Sequence, residues 1–117
     1  MFDYKQYKIN FKRGSVILAG SGPGDEELIT IKLNNALIEA DVVIYDALVN
    51  KRILEKCKPS AKLIFAGKLK GTKACSQNDI NEWMVLHAKK GKKVLRLKGG
   101  DPSFFSRIAQ EAIFLKK

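Results

Sequence analysis

Histidine and cysteine are scarce in this chain, with one of the former and two of the latter in 117 residues. The thiols, Cys57 and Cys75, stand far apart and outside any CxxC arrangement, so they read as buried or idle thiols in a reducing cytoplasm. The single histidine, His87, has no cysteine or histidine near it in sequence and is expected to be a packing residue; no metal site is predicted. No apolar run approaches the roughly 18 residues that would indicate a membrane span. The opening stretch carries Lys5, Lys8, Lys12 and Arg13 but no apolar core followed by small residues, which excludes the pattern of a secretion signal.

Positive charge is what the chain has in excess. Lysine and arginine total 22 against 12 acidic residues, for a formal charge of +10. Such a field draws polyanions, whether nucleic acid or a small polycarboxylate. Compositional drift is the first reading, because lysines predominate and are spread along the chain. A polycarboxylate ligand comes second. Nucleic acid is a distant third, since aromatic residues do not interleave with the basic ones as a single-strand-binding surface requires. With 45% hydrophobic residues, the length suits one small domain around a single core.

Residues 1–14 are polar and basic without periodicity and read as a loose arm; a domain follows over 15–117. Ser15 to Ala19 is a short apolar run closed by Gly20-Ser21-Gly22-Pro23-Gly24, the pattern of a strand buried on both faces. Thr30 caps a helix through Ala40 whose apolar surface comes from Ile31, Leu33, Leu37 and Ile38. Val42 to Tyr45 is β-branched and strand-like. Asn50 caps a short helix bearing Ile53, Leu54 and Cys57, stopped by Pro59. Leu63 to Ala66 is a third strand, ended by Gly67.

Ser76-Gln77-Asn78-Asp79 resembles a capping box with Asp in the place of Glu. The helix behind it sets Ile80, Trp83, Met84 and His87 on one face, with Lys89 and Lys90 in its last turn and Gly91 as terminator. Val94 to Leu97 is a fourth strand, ending at Gly99-Gly100-Asp101-Pro102. With Asp101 as cap and Pro102 as first residue, a last helix is expected to carry Phe104, Phe105, Ile108, Ala112 and Ile113. This alternation predicts an α/β fold: a mostly parallel sheet of at least four strands with helices on both faces. Ligands of such sheets bind at the carboxyl ends of the strands. The glycine-rich turns at 20–24, 67 and 99–100 all fall there.

The turn Gly20 to Asp25 is no dinucleotide loop. Position six of that fingerprint would be glycine rather than Asp25, whose charge repels a pyrophosphate. No Gly-Lys-Ser/Thr follows, so a Walker loop is also excluded. Approachable backbone beside the rigid Pro23 suits a small uncharged or cationic ligand edge. Taken alone, a plain tight turn explains it equally well.

Four segments together say more: VILAGSGPGDEELITIK, ADVVIYDALVN, the Gly67-Lys68 pair and VLRLKGGDP. In order and spacing they resemble the tetrapyrrole methylase family, from about Ser15 to Glu111, and the YDxLV and RLKGGDP segments point to its branch acting on uroporphyrinogen III. The resemblance implies the N-terminal domain of that fold. It implies methyl transfer from S-adenosylmethionine to carbon atoms of a tetrapyrrole, on the route to sirohaem and cobalamin, with S-adenosylhomocysteine as product. It places Pro23, Gly99, Gly100, Asp101 and Phe104 around the cofactor, Asp46 as proton acceptor and Lys68 as proton donor. It further implies a cytoplasmic homodimer and a second domain of similar size beyond residue 117, so that the chain alone is expected to be inactive or nearly so.

The chain also departs from the family. Leu69 stands for an arginine, removing a bidentate carboxylate clamp, although Lys70 and Lys73 keep charge nearby. Ser106, Ile108 and Ala109 replace glycines. These departures support an alternative, a non-catalytic binding or assembly module that keeps the fold. Other residues have plainer roles open to them: Asp101 as a helix cap, Asp46 as a turn cap, Phe104 as core, Lys68 as a solvated lysine.

Overall fold

The computed structural model describes residues 11–22, 25–67, 76–100 and 104–108. In chain order these form β1 (Val16–Gly20), a 3-10 turn (Glu26–Leu28), α1 (Ile31–Glu39), β2 (Val42–Tyr45), α2 (Lys51–Leu54), β3 (Lys62–Phe65), α3 (Gln77–Lys89), β4 (Val94–Lys98) and β5 (Phe104–Ile108). They make a five-stranded sheet in the order β3-β2-β4-β1-β5. The pairs β2–β3, β2–β4 and β1–β4 are parallel, and only β5 runs antiparallel, against β1.

The continuous apolar runs make sense once both faces of the sheet are covered. Successive side chains alternate between faces. Ile17, Ala19, Val43, Leu95 and Leu97 therefore pack with Leu33, Ala36 and Leu37 of α1 and Ile53 of α2. Val16, Val42, Ile44 and Val94 pack on the other side with Ile80, Met84, Val85 and Ala88 of α3. The predicted layered α/β architecture is the one observed.

Local chemistry sets the helix starts. Thr30 Oγ1 accepts from Leu33 N at 3.1 Å, and Asn50 Oδ1 accepts from Arg52 N at 2.9 Å. The capping box of α3 is complete: Ser76 Oγ accepts from Asp79 N at 3.0 Å, and Asp79 Oδ2 accepts from Ser76 N at 3.4 Å. At the opposite end of the strands Asp41 ties three segments together. Its carboxylate accepts from Lys93 N at 2.8 Å and pairs with Lys58 Nζ at 2.6 Å. Burial pushes this carboxyl upward, but the Lys58 ammonium and the Lys93 N–H outweigh it and hold the pKa below its ordinary value.

Three sequence expectations are corrected. The buried stripe of α1 is Leu33, Ala36 and Leu37, while Ile31 and Ile38 are exposed; the sheet contacts only one narrow side of so short a helix. In α3 the buried residues are Ile80, Asn81, Met84, Val85 and Ala88. Trp83 and His87 lie at the margin of that stripe and are half-buried.

The third correction is the largest. Residues 104–108 form a strand, not the helix expected after Asp101-Pro102. Pairing with β1 satisfies backbone groups along Val16 to Gly20 that would otherwise face an open edge. The segment Phe-Phe-Ser-Arg-Ile has the aromatic and β-branched content that favours it. Phe105 joins one core cluster and Ile108 the other. Asp101, Pro102, Ala112 and Ile113 lie outside the described residues.

Candidate functional site

Parallel pairing decides where the turns meet. Gly20 is level with Lys98, and Tyr45 is level with both Leu97 and Phe65. The carboxyl ends of β1 to β4 thus lie along one rim, and the turns that leave them are neighbours. The antiparallel β5 begins there too, with Phe104 opposite Gly20.

Hydrogen bonds stitch this rim. Ser21 N donates to Lys98 O at 2.9 Å, linking the exits of β1 and β4. Asp46, the first residue after β2, turns the chain back: its Oδ1 accepts from Leu48 N at 2.9 Å. Both carboxylate oxygens also lie 3.3 Å from Gly99 N, joining the exit of β2 to that of β4. Asp46 is therefore a turn residue and a cross-strand tie at once. It keeps partial exposure to solvent, so a ligand on the rim could reach it.

The glycines are explained by what presses on them. A Cβ on Gly99 would overlap the backbone of Leu48 and Val49, and one on Gly67 would come within 2.8 Å of Ala47 N. The turn 46–49 lies across both residues, which only glycine permits. Gly100 is exposed and has φ 77°, a left-handed conformation that L side chains rarely adopt. Among the described residues the atoms nearest the position of its missing Cβ belong to Leu48, with Cδ1 at 3.1 Å. Gly99 is thus buried under the Asp46 turn, while Gly100 next to it is exposed.

Beside this turn is a cavity of about 800 Å³ whose walls include Tyr45, Asp46, Val49, Leu54, Leu63 and Phe65. The Tyr45 and Phe65 rings meet edge to face, with centroids 5.5 Å apart. Apolar side chains also remain uncovered at the rim: Leu48 and Phe104 are exposed, Leu48 by 71%. A patch of that kind on a small domain marks a contact surface.

Of the residues singled out from sequence, Asp46, Gly99, Gly100 and Phe104 are brought together on this rim. Pro23, Lys68 and Asp101 lie outside the described residues, as do Leu69, Lys70, Lys73 and Ala109. Phe104 belongs to the rim rather than the core, being 39% exposed. Sequence reading missed the cavity and the part played by Leu48. It also passed over Arg96, a buried guanidinium on β4 whose Nη1 donates to Ile44 O at 3.3 Å. The glycine after β3 was a signal for the close approach; nothing in the letters marked the cavity.

The family model for tetrapyrrole (corrin/porphyrin) methylases matches residues 15–117. The chain belongs to this family. Uroporphyrinogen-III C-methyltransferase of Methanocaldococcus jannaschii is 54% identical over 104 residues, which are 89% of this chain and 43% of that protein. The siroheme synthase of Actinobacillus pleuropneumoniae serotype 3 is 48% identical over 103 residues, 88% of this chain but 21% of its own length. Among solved structures, the uroporphyrin-III C-methyltransferase of Thermus thermophilus complexed with S-adenyl homocysteine superposes with a TM-score of 0.58 at 40% identity, covering 74% of this chain and 33% of that one. The chain spans less than half the length of these uroporphyrinogen-III C-methyltransferase relatives. Among its described residues, no helix is long and apolar enough to cross a membrane.

Proposed function

We propose that this chain provides the N-terminal half of a site that transfers a methyl group from S-adenosylmethionine to carbon atoms of uroporphyrinogen III. The observation that carries the proposal is the Asp46 carboxylate, held 3.3 Å from Gly99 N on the rim where the strand exits converge. The residues present fit the cofactor: the exposed Gly100 offers its backbone, and the Asp46 carboxylate beside Gly99 favours a sulfonium. When bound, S-adenosylmethionine supplies an electrophilic methyl group and leaves as the neutral thioether, S-adenosylhomocysteine.

The chain's own residues do the rest. Pro23, Gly99, Gly100, Asp101 and Phe104 line the cofactor and hold it at one angle. As a pyrrole carbon gains the methyl group its ring becomes positive and sheds one proton, which Asp46 accepts, so the product is neutral; where the methylated ring system tautomerises, Lys68 gives a proton to one position as another position gives one up. Each such transfer is worth about 10²–10⁴-fold when the group is well placed. Alignment of carbon, methyl and sulfur in a cleft closed to water supplies much of the remainder. The exposed apolar rim supports closure by further protein, either a C-terminal half or a second copy in a cytoplasmic homodimer. These 117 residues alone are then inactive or nearly so.

A second reading has an observation in its favour. Ile108, at a position where the family has glycine, is packed into the core as part of β5, which fits a module that keeps the fold without the chemistry. Labelled S-adenosylmethionine and uroporphyrinogen III separate the two. Fused to the C-terminal part of the Methanocaldococcus enzyme, the chain should turn over, and Asp46→Asn should slow the fusion about 100-fold or more. A correctly folded fusion that binds S-adenosylhomocysteine yet transfers no methyl would establish the module instead.

A further inference from the structure

The cavity beside the Asp46 turn has its cause in the lengths of two elements. α2 has four residues and is therefore about 6 Å long, while the four residues of β3 span about 13 Å. β3 ends the sheet, with β2 its one neighbour among the described residues. Val43 is level with Leu63 and Tyr45 with Phe65. By the alternation of strand side chains, Tyr45, Leu63 and Phe65 share the face on which Val43 packs with α1 and α2. So short a helix does not cover that margin. Leu63 is left 44% exposed, and a cavity remains between α2 and β3.

Its walls combine flat apolar surface with separated charges. Tyr45 and Phe65 meet edge to face, Leu54 and Leu63 add aliphatic surface, and Asp46 borders the same space. From α2 and its end, Lys51 and Glu55 stand one turn apart on the cavity wall, both exposed. The two cations that open α2 differ. Arg52 is paired with Glu26 at 3.1 Å and is not part of the wall, whereas among the described residues no ion pair engages Lys51. An apolar cleft with a few convergent polar groups is the usual composition of a small-molecule site.

We propose that this cavity seats one pyrrole ring of the acceptor, with Lys51 binding one of the ring's carboxylate arms and Glu55 turning the other away. The proposal rests on the methyl-transfer reading, in which Asp46 takes the proton of the ring that has gained the methyl group. A ring that gives its proton to Asp46 must lie against the space that Asp46 borders. Methylene bridges join the rings of uroporphyrinogen III, so one ring can tilt into a pocket while the others stay outside. Its flat, electron-rich face suits the aromatic and aliphatic walls. Each ring carries an acetate and a propionate arm. An arm at Lys51 gains an ion pair, and an arm at Glu55 meets like charge. The two residues thus favour one way round for the ring and select the carbon that faces the donor.

The fold does not depend on either charge. Lys51 and Glu55 are exposed and neither belongs to a core cluster, so each can be exchanged without unpacking the domain. Arg52, on the same helix and also exposed, is a control of equal charge that does not line the cavity.

The test titrates the full chain, observed by NMR, with opsopyrroledicarboxylic acid, a single pyrrole bearing one acetate and one propionate arm. At millimolar ligand the signals of Tyr45, Val49, Leu54 and Phe65 should shift, while those of Asp41 and Lys93 at the far strand ends stay still. Lys51→Gln should weaken binding about two- to fivefold, and Glu55→Gln should strengthen it by a similar factor. Arg52→Gln should change it by less than about 1.5-fold. Opsopyrrole, with methyl and ethyl in place of the carboxylate arms, should move the same signals and be indifferent to Lys51→Gln. Saturating S-adenosylhomocysteine should leave the pyrrole bound. No shift at the cavity, weaker binding by Glu55→Gln, an equal response of the two pyrroles to Lys51→Gln, or displacement by S-adenosylhomocysteine would each overturn the proposal. The titration needs no turnover, so a folded fusion that makes no methylated product counts against the methyl-transfer reading and leaves the pyrrole result to stand or fall by itself.

Discussion

Asp46 and Gly99 are a pair whose roles are inseparable. The carboxylate needs the Gly99 N–H to hold its place, and the turn it organises needs the space that glycine leaves. Gly99→Ala would drive a methyl group into the Leu48–Val49 backbone, so the turn must lift. Unfolding by urea should show a loss of about 2–4 kcal/mol; a loss below about 0.5 kcal/mol would mean the turn does not rest there. Asp46 was legible in the sequence as a turn residue, and the family resemblance implied a role as proton acceptor. Its bond to Gly99 was not, because 53 residues separate them and only the β2–β4 pairing brings them together.

His87 makes a prediction at the same scale. Its native pKa lies below the unfolded value of 6.5, so the unfolded chain takes up the proton first as pH falls. Stability is therefore lost from pH 6.5 downward and levels off once the native pKa is passed. His87→Gln should remove that part of the pH dependence, measured as the difference in unfolding free energy between pH 7.5 and pH 5. An unchanged difference would place the acid sensitivity elsewhere.

Elements were readable where their ends carry local chemistry. The capping box of α3 and the caps of α1 and α2 depend on residues two or three apart, and all three were found as expected. Ser76→Ala should lower stability by about 1 kcal/mol, visible as a shift in the urea midpoint with unchanged slope. The helical stripes were less legible, since the angle at which the sheet meets α1 and α3 chooses among several apolar residues. The segment 104–108 was misread for a related reason. Asp101-Pro102 signals a helix start locally, but the open edge of β1 is a tertiary feature that no local signal reports.

At the scale of the whole molecule, alternating apolar runs and helices were enough for the layered α/β architecture. Strand order was not, because nothing local says that β4 inserts between β1 and β2. That insertion is what brings Gly99 to Asp46 and creates the rim. The exposed Leu48 and Phe104 then make sense together as a surface awaiting cover, though nothing in the sequence marked Leu48.

The most direct measurement is a titration of the isotope-labelled chain with S-adenosylhomocysteine, followed by backbone amide NMR at millimolar ligand. Binding to the rim should move the signals of Gly20 to Gly22, Asp46 to Val49, Gly67, Gly99, Gly100 and Phe104. Ser15, Asp41 and Lys93, at the far ends of the same strands, should stay still. Shifts confined to that far end, or none at saturation, would contradict the account.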